Sequence, residues 1–318
     1  MNVVVVGAGI IGCAVARELA VRGVACTVFD PRPVGGGATQ ASAGMLAPYV
    51  EAHEQGPLLD LAVRSLALYD GWIASVREES GIEVEYRRIG TLETAGNRAI
   101  SEHGYVAAEP LTSALAVAAE RRGARFVRAR VERVAREANS LRVHTATESF
   151  DATHVVVAAG AWGNTVEGIR VPPLRPVRGQ LLRLGWNSEP LSTIVWGTRC
   201  YVVPWLDGTV LVGATVEEAG FDERTTAAGV QGLLDAVCEL LPAARDATFI
   251  EARVGLRPAT PDELPVIGPD PDVPGLIHAS GHYRNGVLLA PITARLVGDL
   301  VVDGRSDPIL SRFRPDRF

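Results

Sequence analysis

Lysine is absent from this sequence, and all 31 basic side chains are arginine. Without an ε-amine there can be no lysine Schiff base with pyridoxal phosphate and no Walker-type phosphate lysine. Cysteine is scarce: Cys13, Cys26, Cys200 and Cys238 are scattered without a Cys-x-x-Cys pair, which excludes a redox dithiol of that type and a cysteine zinc site. The histidines, at 53, 103, 144, 154, 278 and 282, lack ligand spacing, so no metal is expected. No apolar run approaches bilayer-spanning length, and Met1 leads directly into a strand-like segment. No membrane association and a cytoplasmic location are therefore expected. The net charge of −6 without a basic run gives no electrostatic footprint for nucleic acid.

What is present begins at the first residues. Val3 to Val6 form a valine run suited to a parallel strand covered on both faces, and it enters Gly7-Ala-Gly9-Ile-Ile-Gly12. Cys13 to Arg22 then alternates at helical spacing. In such a unit Gly7 allows the tight turn, Gly9 lets backbone amides approach a pyrophosphate, and Gly12 lets the helix lie close to the strand. Asp30 closes the next strand, Cys26 to Phe29, eighteen residues after Gly12, where a carboxylate accepts from ribose hydroxyls. A glycine-bearing turn in an ordinary parallel sheet, with Asp30 merely solvated, is the plainer alternative. Strand, turn, helix and acid together favour a dinucleotide, and the acid disfavours NADP.

With 318 residues the chain has room for two domains. Val34 to Pro48 is rich in small residues, and a helix is expected at about 58–79, followed by a strand-like stretch over 84–94. Residues 95–108 carry no clear pattern. Another helix is expected over 111–122, strands over 124–134 and 140–147, and a second buried strand at His154 to Trp162. From Pro176 the pattern changes to alternating strands over 180–185, 193–204 and 209–215, with Asp207-Gly208 as a hairpin signal. A helix over 226–241 and a strand over 248–256 follow, and then a buried strand at 275–279 and a final helix from Gly286. The fold class expected is α/β: a discontinuous Rossmann-like domain from 1–80, 106–175 and 255–318, and a smaller substrate domain with an antiparallel sheet from 81–105 and 176–254.

Two arginines have flanks that fix their direction. Arg257 ends a strand in Val254-Gly-Leu-Arg-Pro258, and Arg284 lies in Gly281-His-Tyr-Arg-Asn-Gly286 before the last helix. A guanidinium can hold a carboxylate bidentately, which suits an α-amino or α-hydroxy acid. Surface pairing of Arg257 with Asp262 or Glu263, and a solvated Arg284, remain open alternatives. Tyr201 could supply a hydroxyl to a pocket or simply pack. His282 reads as a loop residue beside a cofactor rather than a base, since oxidising a neutral amine by hydride transfer needs positioning more than a protein base.

At these residues the chain resembles the FAD-dependent D-amino acid oxidase superfamily, and most closely its glycine oxidase branch, associated with thiamine thiazole synthesis. The pieces that carry this are Gly7 to Gly12, Gly37 to Pro48, Ala158 to Trp162, Cys200 to Pro204, Gly255 to Pro258 and Gly281 to Gly286. The resemblance implies noncovalent FAD held by Gly7, Gly9, Ile10, Ile11, Gly12, Asp30, Pro31, Arg32, Ala38, Thr39, Ser42, Ala43, Gly44 and Met45. Val131, Ala159, Gly160, Trp162, Arg257, Gly281, Tyr283, Arg284, Asn285, Gly286, Val287 and Leu288 would complete its site. It places Arg257, Arg284 and Tyr201 at the substrate.

The implied reaction oxidises an amine next to a carboxylate, with molecular oxygen as acceptor, a small amino acid as substrate and a homo-oligomer as a compatible assembly. Three departures suggest a remodelled pocket. The stretch from Thr94 to Leu111 is shortened, Val216 stands where a larger methionine can occur, and Arg199 stands where a histidine can. The expectation is a glycine carrying a bulkier N-substituent, for instance an N-carboxymethyl compound that releases a β-amino acid. Glycine itself, a dehydrogenase using a non-oxygen acceptor, a flavin-binding protein without turnover and an NAD-linked enzyme are the alternatives.

Overall fold

The computed structural model describes residues 1–51, 55–138, 140–170 and 172–318. His53, one of the histidines considered above, lies outside them. The valine run forms the strand Val3–Val6, fully covered, and pairs in parallel with Cys26–Phe29 on one side and His154–Val157 on the other. Arg125–Val127 and Leu276–Ser280 extend this parallel sheet, and Val266–Pro269 closes one edge antiparallel, giving six strands. Burial on both faces explains the unbroken apolar character of the central strands.

One face of that sheet carries the helices Ile10–Val21, Ala108–Arg121 and Gly286–Gly298 around a single apolar core. The other face is covered by a three-stranded antiparallel sheet, Val131–Arg136, Leu141–Thr145 and Ser149–Ala152. The last of these strands was not anticipated, because Ser149 and Asp151 are exposed and leave little apolar signal.

The second large sheet has seven strands in the order Thr248–Ala259, Arg175–Gly185, Thr209–Gly213, Tyr201–Pro204, Ile194–Trp196, Thr91–Glu93 and Arg98–Ile100. It is antiparallel except between Ile194–Trp196 and Thr91–Glu93. The hairpin at Asp207-Gly208 forms, with Gly208 at φ +79°. Leu182, Val202 and Val212 face the helix Ala227–Leu240 on one side. Thr226 caps that helix by accepting from Gly229 N.

Several expected elements differ from those observed: the strand over 124–134 is two, Arg125–Val127 of the parallel sheet and Val131–Arg136 of the small antiparallel one, and that over 193–204 is the pair Ile194–Trp196 and Tyr201–Pro204. The helix over 58–79 is two helices, Pro57–Leu66 and Tyr69–Ser80, because each half packs on a different neighbour. The first is tied to the last helix by Ser65 Oγ donating to Leu288 O at 2.6 Å. The stretch 84–94 is split by Gly90 (φ +73°) into strands of two different sheets. Residues 98–106, left unplaced above, supply one short strand to each of them.

Candidate active site

A long cavity runs from the first glycine turn to the cavity-facing side of the seven-stranded sheet. At the first end, Gly7 has φ +108°, and a Cβ there would collide with Ala158 O; a Cβ at Gly12 would collide with Gly7 O. Strand, turn and helix can therefore close only with glycine at both positions. Gly9 is different. A Cβ there would meet only Thr39 Oγ1, at 3.6 Å, yet Gly9 lines the cavity. The chain itself does not need a glycine at this place, whereas a phosphate lying against the backbone does.

The helix that starts at Ile10 has no cap from its N-cap residue Gly9, and Gly9, Ile10 and Ile11 line the cavity, so its positive dipole end faces it. Ile10 N donates to Thr39 Oγ1 at 3.1 Å. Asp30 accepts from Ala8 N at 2.7 Å through Oδ2 and from Arg32 N at 2.8 Å through Oδ1. Each oxygen retains a lone pair for a ribose hydroxyl. Arg32 forks onto Glu223 at 2.8 and 2.7 Å and lies 4.1 Å over the Trp162 ring, so it forms a wall rather than a free cation. The small-residue run folds as a 3-10 turn at Ala38–Ala41 and a strand at Met45–Leu46, with Ser42 Oγ accepting from Gly44 N.

The other end is built on glycine-paved strands. Gly179, Gly213 and Gly255 occupy neighbouring positions of the sheet, and two of them have a functional side chain lying across them. A Cβ on Gly179 would strike the Arg257 guanidinium, and one on Gly213 would strike the Tyr201 phenol. Arg257 Nη1 donates to Thr215 O at 3.0 Å, and among the described residues no carboxylate pairs with it. Asp262 is instead engaged by Arg317 at 2.8 Å, which removes the surface-pair alternative. Burial holds the Arg257 pKa below the ordinary arginine value, and Arg284 nearby pushes in the same direction. Among the described residues this cation has no paired carboxylate, which leaves it open to an anionic ligand.

Arg284 is placed by a strained loop: Tyr283 has φ +48°, uncommon for an aromatic, and donates its N–H to Pro258 O at 3.0 Å. The Arg284 guanidinium pairs with Glu51 through Nε to Oε2 at 2.9 Å and Nη2 to Oε1 at 3.3 Å. It also lies 5.9 Å from the Trp196 ring centre, and Trp196 stacks on Tyr201 at 5.6 Å. Burial raises the Tyr201 pKa, so its hydroxyl stays protonated. His282 is buried, its Nε2 is 3.0 Å from Thr293 Oγ1, and burial pushes its pKa down to about 3. The last helix begins at Gly286 after Asn285 without a side-chain cap, so its N-terminus also opens on the cavity.

Most of the residues singled out in the sequence line this one cavity. Three do not. Gly12 and Gly281 act by closeness of backbone, since a Cβ on Gly281 would meet Thr260 Cγ2 at 2.8 Å, and Leu288 is in the apolar core. Arg199 and Val216 are also off the cavity wall: Arg199 reaches Glu239 at 2.6 Å and Val216 is exposed. Sequence reading missed Glu51, Trp196, Gly179 and Gly213. A glycine inside an alternating strand marks a close approach, and that signal was available for Gly179 and Gly213.

Both helix N-termini, the open Gly9 and the acid at Asp30 fit a dinucleotide carrying a redox ring, and the counterion-free Arg257 fits a carboxylate beside it. None of the cysteines lines the cavity, and no cluster of metal-ligating side chains occurs among the described residues.

Comparison with known proteins agrees with this geometry. The chain is 35% identical to the bifunctional protein ThiO/ThiG of Nostoc sp. over 99% of its length, and spans 55% of that relative. The crystal structure of glycine oxidase from Geobacillus kaustophilus superposes with a TM-score of 0.94 at 31% identity, covering 99% of this chain and 98% of that one. Iminodiacetate oxidase from Chelativorans sp. superposes with a TM-score of 0.91 at 26% identity, covering 98% of each. The family model described as FAD dependent oxidoreductase (DAO) matches residues 2–103 and 99–300. The chain belongs to this family of FAD-dependent oxidoreductases, and FAD is its cofactor.

Proposed function

We propose that this protein is an amine oxidase of the glycine oxidase type, acting on glycine or an N-substituted glycine. The observation that carries the reading is Arg257, a half-buried guanidinium that no carboxylate among the described residues pairs with, in a cavity continuous with the glycine turn. Arg257 binds the substrate carboxylate, with Thr215 O and the flat seat over Gly179 fixing its plane. Tyr201, protonated and held over Gly213, presents its hydroxyl to the same ligand. His282 remains neutral and engaged with Thr293, so the substrate amine must arrive unprotonated or lose its proton to water. The uncapped helix at Gly286 favours negative charge at that end of the cavity.

When bound, FAD supplies the acceptor for hydride from the substrate Cα and is reoxidised by molecular oxygen to give hydrogen peroxide. Overall, R–NH–CH2–COO⁻ with O2 and H2O gives R–NH2, glyoxylate and H2O2. We assign the cofactor to a discontinuous domain of 1–80, 106–175 and 255–318, and the substrate to 81–105 and 176–254. The partition is supported by the six-stranded sheet drawing on the first set and the seven-stranded sheet chiefly on the second.

Likeness to iminodiacetate oxidase supports an N-substituted substrate, since iminodiacetate is itself an N-substituted glycine. An N-carboxymethyl β-amino acid belongs to the same class. Glycine itself, in the thiamine thiazole branch, is the second reading, favoured by likeness to glycine oxidase. Four free thiols suit a reducing compartment, and the cytoplasm is our assignment.

The test is a panel of glycine, sarcosine, N-ethylglycine and larger N-alkylglycines with peroxide and glyoxylate measured together. A higher kcat/KM for an N-alkylglycine than for glycine supports the N-substituted substrate. Glycine far above every N-substituted member overturns it, and no peroxide from any member removes the oxidase reading.

A further inference from the structure

The substrate end of the cavity contains two arginines, but they are not equivalent. Among the described residues Arg257 has only a backbone carbonyl for a partner, at 3.0 Å, whereas Arg284 is held by both oxygens of Glu51. The Glu51 side chain is 9% exposed and that of Arg284 is 31% exposed, so their attraction acts in a medium poorer than water. Burial keeps the nearby Tyr201 phenol protonated, so among the described residues the charges facing the substrate are two positive and one negative. One carboxylate with a neutral amine balances them. A second carboxylate would either lie beside Glu51 as a like charge or displace it from Arg284 and leave it enclosed without a partner.

We propose that Glu51 is the specificity-determining residue of this site: by neutralising Arg284 it leaves Arg257 as the single carboxylate-binding cation. The substrate is then a glycine unit whose N-substituent carries no second carboxylate within reach of Arg284. This rests on the reading of Arg257 given above and narrows it. It sets N-alkyl and other uncharged N-substituents above iminodiacetate and above an N-carboxymethyl β-amino acid.

Two ethers serve as probes, since an oxygen in place of N–H leaves no amine to oxidise. Propoxyacetate carries one carboxylate, and diglycolate has nearly the same shape with two. Each is titrated into the FAD-loaded protein, and binding is read from the change in the visible flavin spectrum. The wild type is expected to bind propoxyacetate at least about tenfold more tightly than diglycolate, a difference of about 1.4 kcal/mol. Glu51→Gln should bring the two close to equality by tightening diglycolate, and Glu51→Asp should keep the discrimination. Arg284→Met, which leaves Glu51 unpaired, should widen it.

Equal binding of both ethers by the wild type, or an unchanged ratio in Glu51→Gln, would overturn the proposal. If Glu51→Gln does not retain FAD, the decision passes to Arg284→Met, where equal binding of the two ethers would also overturn it. Failure of the underlying reading looks different: neither ether would perturb the wild-type flavin at any concentration.

Discussion

A single half-buried guanidinium is valuable at this site because its position is set from three sides. Thr215 O fixes one nitrogen, the glycine surface at Gly179 sets the plane, and Arg284 excludes further cations. His282 shows the opposite design. Its neutral state in the folded protein, against an ordinary value of 6.5 when unfolded, means that the unfolded chain binds the extra proton between pH 6.5 and about 3. This stabilisation is complete above pH 6.5 and is lost as pH falls through that window. His103, pushed down to about 4 by burial, adds in the same sense. Thermal melts should therefore show Tm falling from pH 7 to pH 4, with a shallower slope in His282→Gln. That variant should keep the shape of the pH profile of kcat/KM between pH 5 and 8. A lost pH limb would make His282 a base after all.

Among the elements, the opening strand, turn and helix were readable from the sequence because each glycine does a separate job there. Those jobs predict different failures. In Gly12→Ala the new methyl collides with Gly7 O, so little folded protein is expected. In Gly9→Ala it meets only Thr39 Oγ1 at an ordinary contact distance, and φ −76° suits alanine, so the apoprotein should lose no more than about 1 kcal/mol. Its FAD Kd should nevertheless rise about tenfold or more, which is about 1.4 kcal/mol. Equilibrium titration of the apoprotein with FAD checks this, and an unchanged Kd would show that nothing approaches Gly9 closely.

The short strands at 86–106 were less legible. Strands of two or three residues have no room to show a period of two, and their partners lie far away in sequence. Glu51 was invisible for the same reason: its significance depends on Arg284, more than two hundred positions later.

The whole molecule joins a parallel sheet that offers helix N-termini to a sheet that offers a flat, glycine-lined face, and the cavity lies along their junction. A dinucleotide site could be read from sequence because the phosphate end is local, within the first thirty residues, whereas FAD and the enzyme class were expected from a family resemblance spread along the chain. The substrate end is assembled from segments far apart in sequence, from Glu51 to Arg284, and geometry was needed to show that its two arginines differ.

The cavity lining includes no cysteine, and burial pushes the Cys26 and Cys200 thiols up to about 12 and about 11, away from reactive thiolates. Acid precipitation should accordingly release the flavin into the supernatant. Flavin retained in the pellet would reveal a covalent bond to another side chain.

The most direct measurement is anaerobic reduction of the bound flavin by N-ethylglycine, followed by loss of its visible band in the wild type and in Arg257→Met. Removing one partner of an enclosed charge pair costs about 2–5 kcal/mol, so the substrate concentration for half-maximal bleaching should rise about 30-fold or more in the variant. The wild-type flavin should bleach fully and recover its colour when oxygen is admitted. Equal bleaching of both proteins at the same substrate concentration would contradict the assignment of Arg257 as the carboxylate anchor.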